Sequence, residues 1–170
     1  MDESKREKLN VHIRWMIRRD LPDVLRIEWD THGPAWTEEL FLIELRKRNV
    51  IGLVAELDEK VLGFAIYELN RGSIEVLNMG VDPAKRRRGI GSQFVAKLAG
   101  KLNSQRRKSI DLRVREGNLA MQLFLKSAGF RATGVERGFY QDPDEDAYVM
   151  AYTIAEPARV AVGAGKSEGG

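Results

Sequence analysis

Apolar and polar positions change their period several times along the chain, and each change marks an element. Val11–Ile17 reads as a strand. Asp20 is placed to cap a helix over Leu21–Asp30, with Pro22 in its first turn. Thr31–Trp36 forms a loop. Thr37 then caps a second helix, where Glu38 and Glu39 suit the positive end and Leu40, Phe41, Ile43 and Leu45 recur to about Lys47. Three strand-like runs follow, Ile51–Leu57, Val61–Leu69 and Ser73–Val81. The short turns Asp58–Lys60 and Asn70–Gly72 separate them, which predicts an antiparallel meander. After Gly89 a helix runs to about Leu102 on the stripe Phe94, Val95, Leu98, Ala99 and Leu102. Ile110, Leu112 and Val114 alternate with Asp111, Arg113 and Arg115, the pattern of a half-buried strand. Asn118 caps a last helix carrying Leu119, Leu123 and Phe124, which Gly129 ends from the C′ position. Strands near Phe130–Tyr140 and Ala147–Thr153 close the pattern. The order is β-α-α-β-β-β-α-β-α-β-β, an α+β fold with a sheet of mixed direction.

Composition narrows the chemistry. With 170 residues, 43% of them hydrophobic, the chain has enough apolar surface for one domain. That domain is expected over residues 11–155, between flexible tails at 1–10 and 156–170. In the second tail Gly163–Ser167 contains Gly-Lys-Ser, but the first glycine of a P-loop would fall at Val160. There is no cysteine, which excludes disulfides, a cysteine nucleophile, thiolate zinc sites and iron–sulfur clusters. His12 and His32 are the only histidines, so no metal is expected. The net charge of +3 suits an anionic ligand and is too small by itself to imply nucleic acid. No run approaches the ~20 apolar residues of a membrane span, and the N-terminus has no apolar signal core. A soluble, cytoplasmic protein is expected, with neither DNA nor membrane as partner.

The segment Val81–Ser92 carries the first specific chemistry. A strand ends at Val81, Pro83 stops the ladder, and glycines open an amphipathic helix. Gly89 and Gly91 present no Cβ, so a ligand can approach the backbone there. The first N–H groups of that helix lack intrahelical partners, and its dipole adds positive potential. Such a helix start binds phosphate oxygens, and Lys85, Arg86, Arg87 and Arg88 surround it with cations. A capped turn with solvated arginines is the plainer reading of the same residues. The dinucleotide fingerprint Gly-x-Gly-x-x-Gly is absent.

These residues resemble the GNAT N-acetyltransferase superfamily over about 140 positions. Arg86–Gly91 resembles its acetyl-CoA pyrophosphate loop, and Asn118–Phe130 its second cofactor segment. Leu77–Pro83, Ala35–Phe41 and Gly138–Tyr140 resemble, within it, the RimI-type ribosomal-protein N-terminal acetyltransferases. The resemblance implies a mixed, mostly antiparallel sheet of about seven strands with about four flanking helices. It implies acetyl-CoA as cosubstrate and a protein N-terminal amine as acceptor, with a ribosomal protein among the candidates. Arg86, Arg87, Arg88, Gly89, Ile90, Gly91 and Ser92 would hold the pyrophosphate. Met79, Gly80 and Val81 would pair with the pantetheine arm like an added strand. Asn118 would bond the pantetheine chain as well as cap its helix. Monomer and homodimer are both open.

Acetyl transfer to an amine needs a deprotonated nucleophile, a stabilised oxyanion and a protonated leaving thiolate. RimI-type enzymes place a glutamate base in Leu-Glu-Val-Arg and a tyrosine acid in the last cofactor helix. Here the first position is Arg113 and the second is Leu125, a cofactor-segment residue without a proton to give. Substitutes are therefore expected elsewhere. Glu75, six residues before Val81, meets the position where lysine-modifying members of the superfamily carry their base, and a solvated strand-edge carboxylate is its plainer reading. Tyr140 is a candidate proton donor, a wall of the acceptor groove, or simply a packed strand-end tyrosine. An α-amino group of pKa ~8 is roughly a tenth neutral at pH 7, whereas a lysine of pKa ~10.4 is neutral in about one part in 2,500. A weak base therefore favours N-terminal acceptors.

Four further features admit plain readings beside functional ones. His32 and Trp36 lie where the family's acceptor site begins. Arg113 pairs with a carboxylate, sits on a solvated face, or meets an acidic substrate. Gln105–Lys108 is a basic turn that could touch RNA. Asp142, Asp144, Glu145 and Asp146 read as an acidic loop. The reading is a direct-transfer, acetyl-CoA-dependent N-acetyltransferase. Acetylation of lysine, a polyamine or another small amine is the alternative within enzymes, and an acetyl-CoA-binding sensor the alternative outside them.

Overall fold

Consecutive apolar runs joined by tight turns build the centre of the sheet. The computed structural model describes residues 7–31, 35–141 and 143–154. In it β2 (Val50–Leu57), β3 (Lys60–Leu69) and β4 (Ser73–Val81) form the expected antiparallel meander. Asp58 and Glu59 make the β2–β3 turn with φ of 51° and 63°, the left-handed pair that suits the twist of a two-residue hairpin. The described residues hold four α-helices: α1 (Leu21–Thr31), α2 (Glu38–Leu45), α3 (Ile90–Ala99) and α4 (Leu119–Ser127). With β1 (His12–Trp15), β5 (Ser109–Arg115), β6 (Arg131–Gln141) and β7 (Asp144–Thr153) the sheet has seven strands in the order β1-β2-β3-β4-β5-β7-β6. Only the β4–β5 pair is parallel among them.

Each face of the sheet buries its own core. One core joins Ile74, Ile110 and Leu112 to Phe94 and Leu98 of α3 and Leu125 of α4. The other joins Val54, Phe64 and Ile66 to Val24 and Ile27 of α1 and Phe41 of α2. Thr37 caps α2 by accepting the Leu40 N–H. Gly129, at φ 98°, ends α4 as expected, with the Phe130 N–H returning to the Leu125 carbonyl.

The feature that shapes the site is a bulge in β4. Ile66 of β3 faces Asn78, but Tyr67 faces Val76, so Leu77 is one residue too many. The extra residue resets the alternation: Val76 and Met79, three apart, both enter the α3/α4 core. β4 and β5 stay in register only from Ser73 and Ser109 to Val76 and Leu112. Both strands continue beyond that point without register partners between them, and a fork opens.

Several boundaries differ from expectation. Asp20 does not cap α1. Its carboxylate accepts the Ile17 N–H at 2.8 Å and two bonds from the Arg14 guanidinium at 2.8 Å each, across the short 3-10 turn Arg18–Asp20. A bidentate charged donor outcompetes a lone helix N–H. α3 ends at Ala99 rather than near Leu102, where Gly100 begins a turn. β7 starts three residues early, because Glu145 and Asp146 are strand residues that accept the Gly117 and Gly138 N–H groups. Residues 7–11, mostly assigned to a flexible tail, are pinned to the start of α3. The Gln93 side chain bonds both Leu9 and Val11, and the Arg88 side chain bonds the Glu7 carbonyl. The expected tail at 156–170 lies outside the described residues. No helix among the described residues is long and apolar enough to cross a membrane.

Candidate active site

The fork between β4 and β5 opens into a cleft of about 240 Å³. Val76, Leu77, Asn78 and Met79 form one wall and Leu112–Arg115 the other, while Asn118 and Met121 approach from α4 and Glu28, Trp36 and Tyr140 complete the lining. Strand alternation gives the cleft two different sides. Leu112 and Val114 belong to the α3/α4 core, whereas Arg113 and Arg115 project to the face that carries α1 and the β6–β7 hairpin. The cleft is thus a slot through the sheet, with an apolar side and a charged side.

At the C-terminal end of β4 the chain turns toward α3. Asp82 accepts the Ala84 N–H at 3.0 Å and starts the short turn Pro83–Lys85. Arg87 and Gly89 take left-handed φ of 61° and 84°, and α3 begins at Ile90. The first-turn N–H groups of α3, including those of Gly91 and Ser92, therefore lie where β4 delivers the chain, among Arg86, Arg87 and Arg88. Arg86 donates to the Thr31 hydroxyl at 3.2 Å, which ties this loop to the end of α1. A helix start of this kind is chemically suited to phosphate oxygens.

Two glycines there have separate duties. Gly89 is required by its backbone angle. At Gly91, however, an added Cβ would lie 2.9 Å from Cζ of Phe124. Its missing side chain lets α3 and α4 approach each other, rather than only letting a ligand reach the backbone. Ile90 is a core residue. So is Leu125, at 0% exposure among Phe94, Leu98 and Val114. Leu125, expected to contact the cofactor, does not line the cleft, because it lies on the inward face of α4. Asn118 does line the cleft and caps α4 by accepting the Met121 N–H at 3.2 Å. Met79 lines the cleft, and Val81 follows on the same strand. Gly80 instead faces α1, where a Cβ would meet Phe64 at 2.8 Å.

The expected base and acid fare differently. Glu75 lies behind the fork, before the register with β5 ends, and does not line the cleft. Its carboxylate is bound by the Arg113 guanidinium, which also donates to Glu136 at 2.9 Å and lies over the Phe139 ring. Arg113 is therefore a structural clamp, as its carboxylate-pairing reading anticipated. Tyr140 does reach the cleft. Its hydroxyl donates to the Arg113 carbonyl at 3.3 Å, and the Arg115 guanidinium lies 4.0 Å from its ring centroid. Burial pushes the phenol above its ordinary pKa, and the neighbouring arginines offset only part of that. Tyr140 accordingly keeps its proton through the neutral range.

Trp36 both lines the cleft and packs edge-on against Phe41 at 5.2 Å. Arg107 donates to the Asn70 carbonyl at 2.7 Å, which makes part of the basic turn a brace between loops. His32 and Asp142 lie outside the described residues. Sequence reasoning missed Glu28 and Asn78, which meet in the cleft. One signal was available: Leu21, Val24 and Glu28 share a helical stripe, so a carboxylate stands where an apolar residue would be expected.

A β4–β5 fork leads to the N-terminus of α3, and the chain belongs to the acetyltransferase (GNAT) family, whose family model matches residues 21–130. It is an acyltransferase. Among characterised relatives, the [ribosomal protein bS18]-alanine N-acetyltransferase of Salmonella typhimurium is 30% identical over 138 residues, which cover 80% of this chain and 93% of that protein. The crystal structure of the ribosomal-protein-S18-alanine N-acetyltransferase from Escherichia coli superposes with a TM-score of 0.76 at 26% identity, covering 89% of this chain and 98% of that one. Ard1 from Thermoplasma volcanium gives 0.77 at 26% identity, over 87% and 100%.

Proposed function

We propose that this protein transfers the acetyl group of acetyl-CoA directly to the α-amino group of a protein N-terminus. The observation that carries the reading is the slot through the sheet. A thioester entering from the α3/α4 side and an amine entering from the α1 side can meet only where β4 and β5 part. Proximity of this kind converts a bimolecular encounter into an intramolecular one.

The roles follow from position. Backbone N–H groups at the start of α3, with Arg86, Arg87 and Arg88, hold the pyrophosphate. The diverging edge of β4 from Leu77 to Val81 takes the pantetheine arm as a short added strand, opposite Asn118. Tyr140, kept protonated, supplies a proton to the departing thiolate. Trp36 and the β6–β7 hairpin, including Phe139 and Tyr140, shape the acceptor side. The names of the relatives make a peptide beginning with alanine, of ribosomal-protein origin, the first acceptor to try.

The test is release of CoA thiol with acetyl-CoA and a panel of free-N-terminus peptides, N-blocked lysine peptides and small amines. Turnover confined to free N-termini is the expected result. Turnover with lysine or small amines alone transfers the chemistry to another acceptor, and tight binding without turnover points to a sensor.

A further inference from the structure

Among the described residues that line the cleft, Glu28 is the one carboxylate. Helical spacing puts it there: Leu21, Val24 and Glu28 succeed one another on the buried stripe of α1, and the first two anchor the helix in the core. Glu28 is 1% exposed. Its second fixed point is the bulge. Resetting of the alternation at Leu77 turns Asn78 toward α1, and the Asn78 side-chain amide donates to the Glu28 carboxylate. The same irregularity that opens the slot thus orients an acid at its floor. On the other wall the charged and titratable groups are Arg113, Arg115 and Tyr140. The two arginines are already engaged, one by Glu75 and Glu136 and the other by Glu145.

Desolvating a carboxylate costs several kcal/mol, and Glu28 bears that cost beside the cleft. The chemistry of the slot lacks one function. An α-amine arrives mostly as ammonium and must lose a proton before it attacks. Arg113 cannot accept that proton, Leu125 has no polar group, and Glu75 is clamped outside the slot.

We propose that Glu28 is the carboxylate that receives the acceptor amine and takes its proton, with Asn78 as the positioning residue that aims it. This rests on the acetyltransferase reading of the cleft. The ammonium gives one proton to Glu28. The nitrogen lone pair then attacks the thioester carbon, the C–N bond forms, and the C=O electrons move to oxygen. On collapse the C–S bond breaks and the electron pair leaves with sulfur. Tyr140 protonates the thiolate and is recharged by the second proton of the nitrogen. Glu28 returns its proton to water, so one amide, one CoA thiol and one proton result.

The experiment compares wild type, Glu28→Gln, Glu28→Asp and Asn78→Ala for acetyl-CoA binding by calorimetry and for kcat and KM between pH 6 and about pH 10, the span of amine titration. The acceptor is whichever panel amine the wild type uses best, so a wrong acceptor class is exposed by the wild type alone. Glu28→Gln is expected to lose about 100-fold in kcat/KM at neutral pH, a typical general-base effect. The deficit should shrink above pH ~8, where the α-amine deprotonates unaided. Acetyl-CoA affinity should stay unchanged. Glu28→Asp should retain part of the rate with the wild-type profile, and Asn78→Ala should lower kcat more than it raises KM. Wild-type rate and pH profile in Glu28→Gln overturn the proposal. If that variant does not fold, wild-type kinetics in both Glu28→Asp and Asn78→Ala overturn it equally. A wild type inert toward every amine overturns both this role and the function it rests on.

Discussion

The Arg115 guanidinium lies 4.0 Å from the centre of the Tyr140 ring, over a phenol whose hydroxyl is already tied to the backbone of the opposite strand. One residue thereby fixes the ring while a neighbour fixes its hydroxyl. Loss of the hydroxyl removes the proposed proton donor and its bond to the Arg113 carbonyl, while the ring packing survives. Tyr140→Phe is expected to lower kcat by about 10- to 100-fold with little change in KM. The wild-type rate should also keep its acid-form activity to a higher pH than a free phenol allows, since burial raises the Tyr140 pKa. Steady-state kinetics to alkaline pH check both points; an unaltered kcat in the variant assigns Tyr140 to packing alone.

Glu75 offers the converse. Its carboxylate serves Arg113 and stands behind the fork, so Glu75→Gln should leave kcat within about threefold of wild type, the scale of a surface ion pair of ~0.2–1 kcal/mol. A loss of activity on the scale of a missing base, with a displaced acid limb, would return the base role to Glu75.

Packing at Gly91 gives a stability prediction. Gly91→Ala places a methyl group 2.9 Å from Phe124 and should cost about 1–3 kcal/mol by overpacking. Phe124→Leu makes room, so the double variant should recover part of the loss. Chemical denaturation of the four proteins closes the cycle, and additive costs would show that the two sites are not energetically coupled.

Asp20 gives the pH prediction. The Arg14 guanidinium, then the Ile17 N–H, hold its carboxyl below the ordinary value, with burial opposing them. A depressed folded pKa means stability that is fully present above pH ~4 and lost as pH falls through the lower folded value. Asp20→Asn should flatten that part of the acid unfolding curve and destabilise the protein at neutral pH by about 1–3 kcal/mol, because Arg14 keeps Glu56 but loses its charged bidentate partner. Acid titrations of unfolding free energy that coincide for the two proteins would refute this.

The elements legible in the sequence are those in which local chemistry decides. The β2–β4 meander follows from its two turns, α3 from its stripe, and the ends of α4 from Asn118 and Gly129. Asp20 misled because its strongest partner, Arg14, comes from a strand rather than from the helix it precedes. The bulge at Leu77 carries no glycine or proline, and it shows only in the register of β4 against β3. Without it the meeting of Asn78 and Glu28 is invisible, and a glutamate in α1 reads as one more charged helix residue. Glu75 looked apt by counting along β4, yet strand counting does not show which carboxylate an arginine on the next strand will claim. Leu125 followed the resemblance into the cofactor segment, but its helix face belongs to the core.

The central claim is that the slot delivers acetyl to an N-terminal amine. A single peptide with a free N-terminal alanine and an internal lysine, incubated with the protein and acetyl-CoA, tests it when fragmented in a mass spectrometer. The account predicts one acetyl group, located on the first residue, with the lysine unmodified. Acetyl on the lysine while the N-terminus stays free would contradict it.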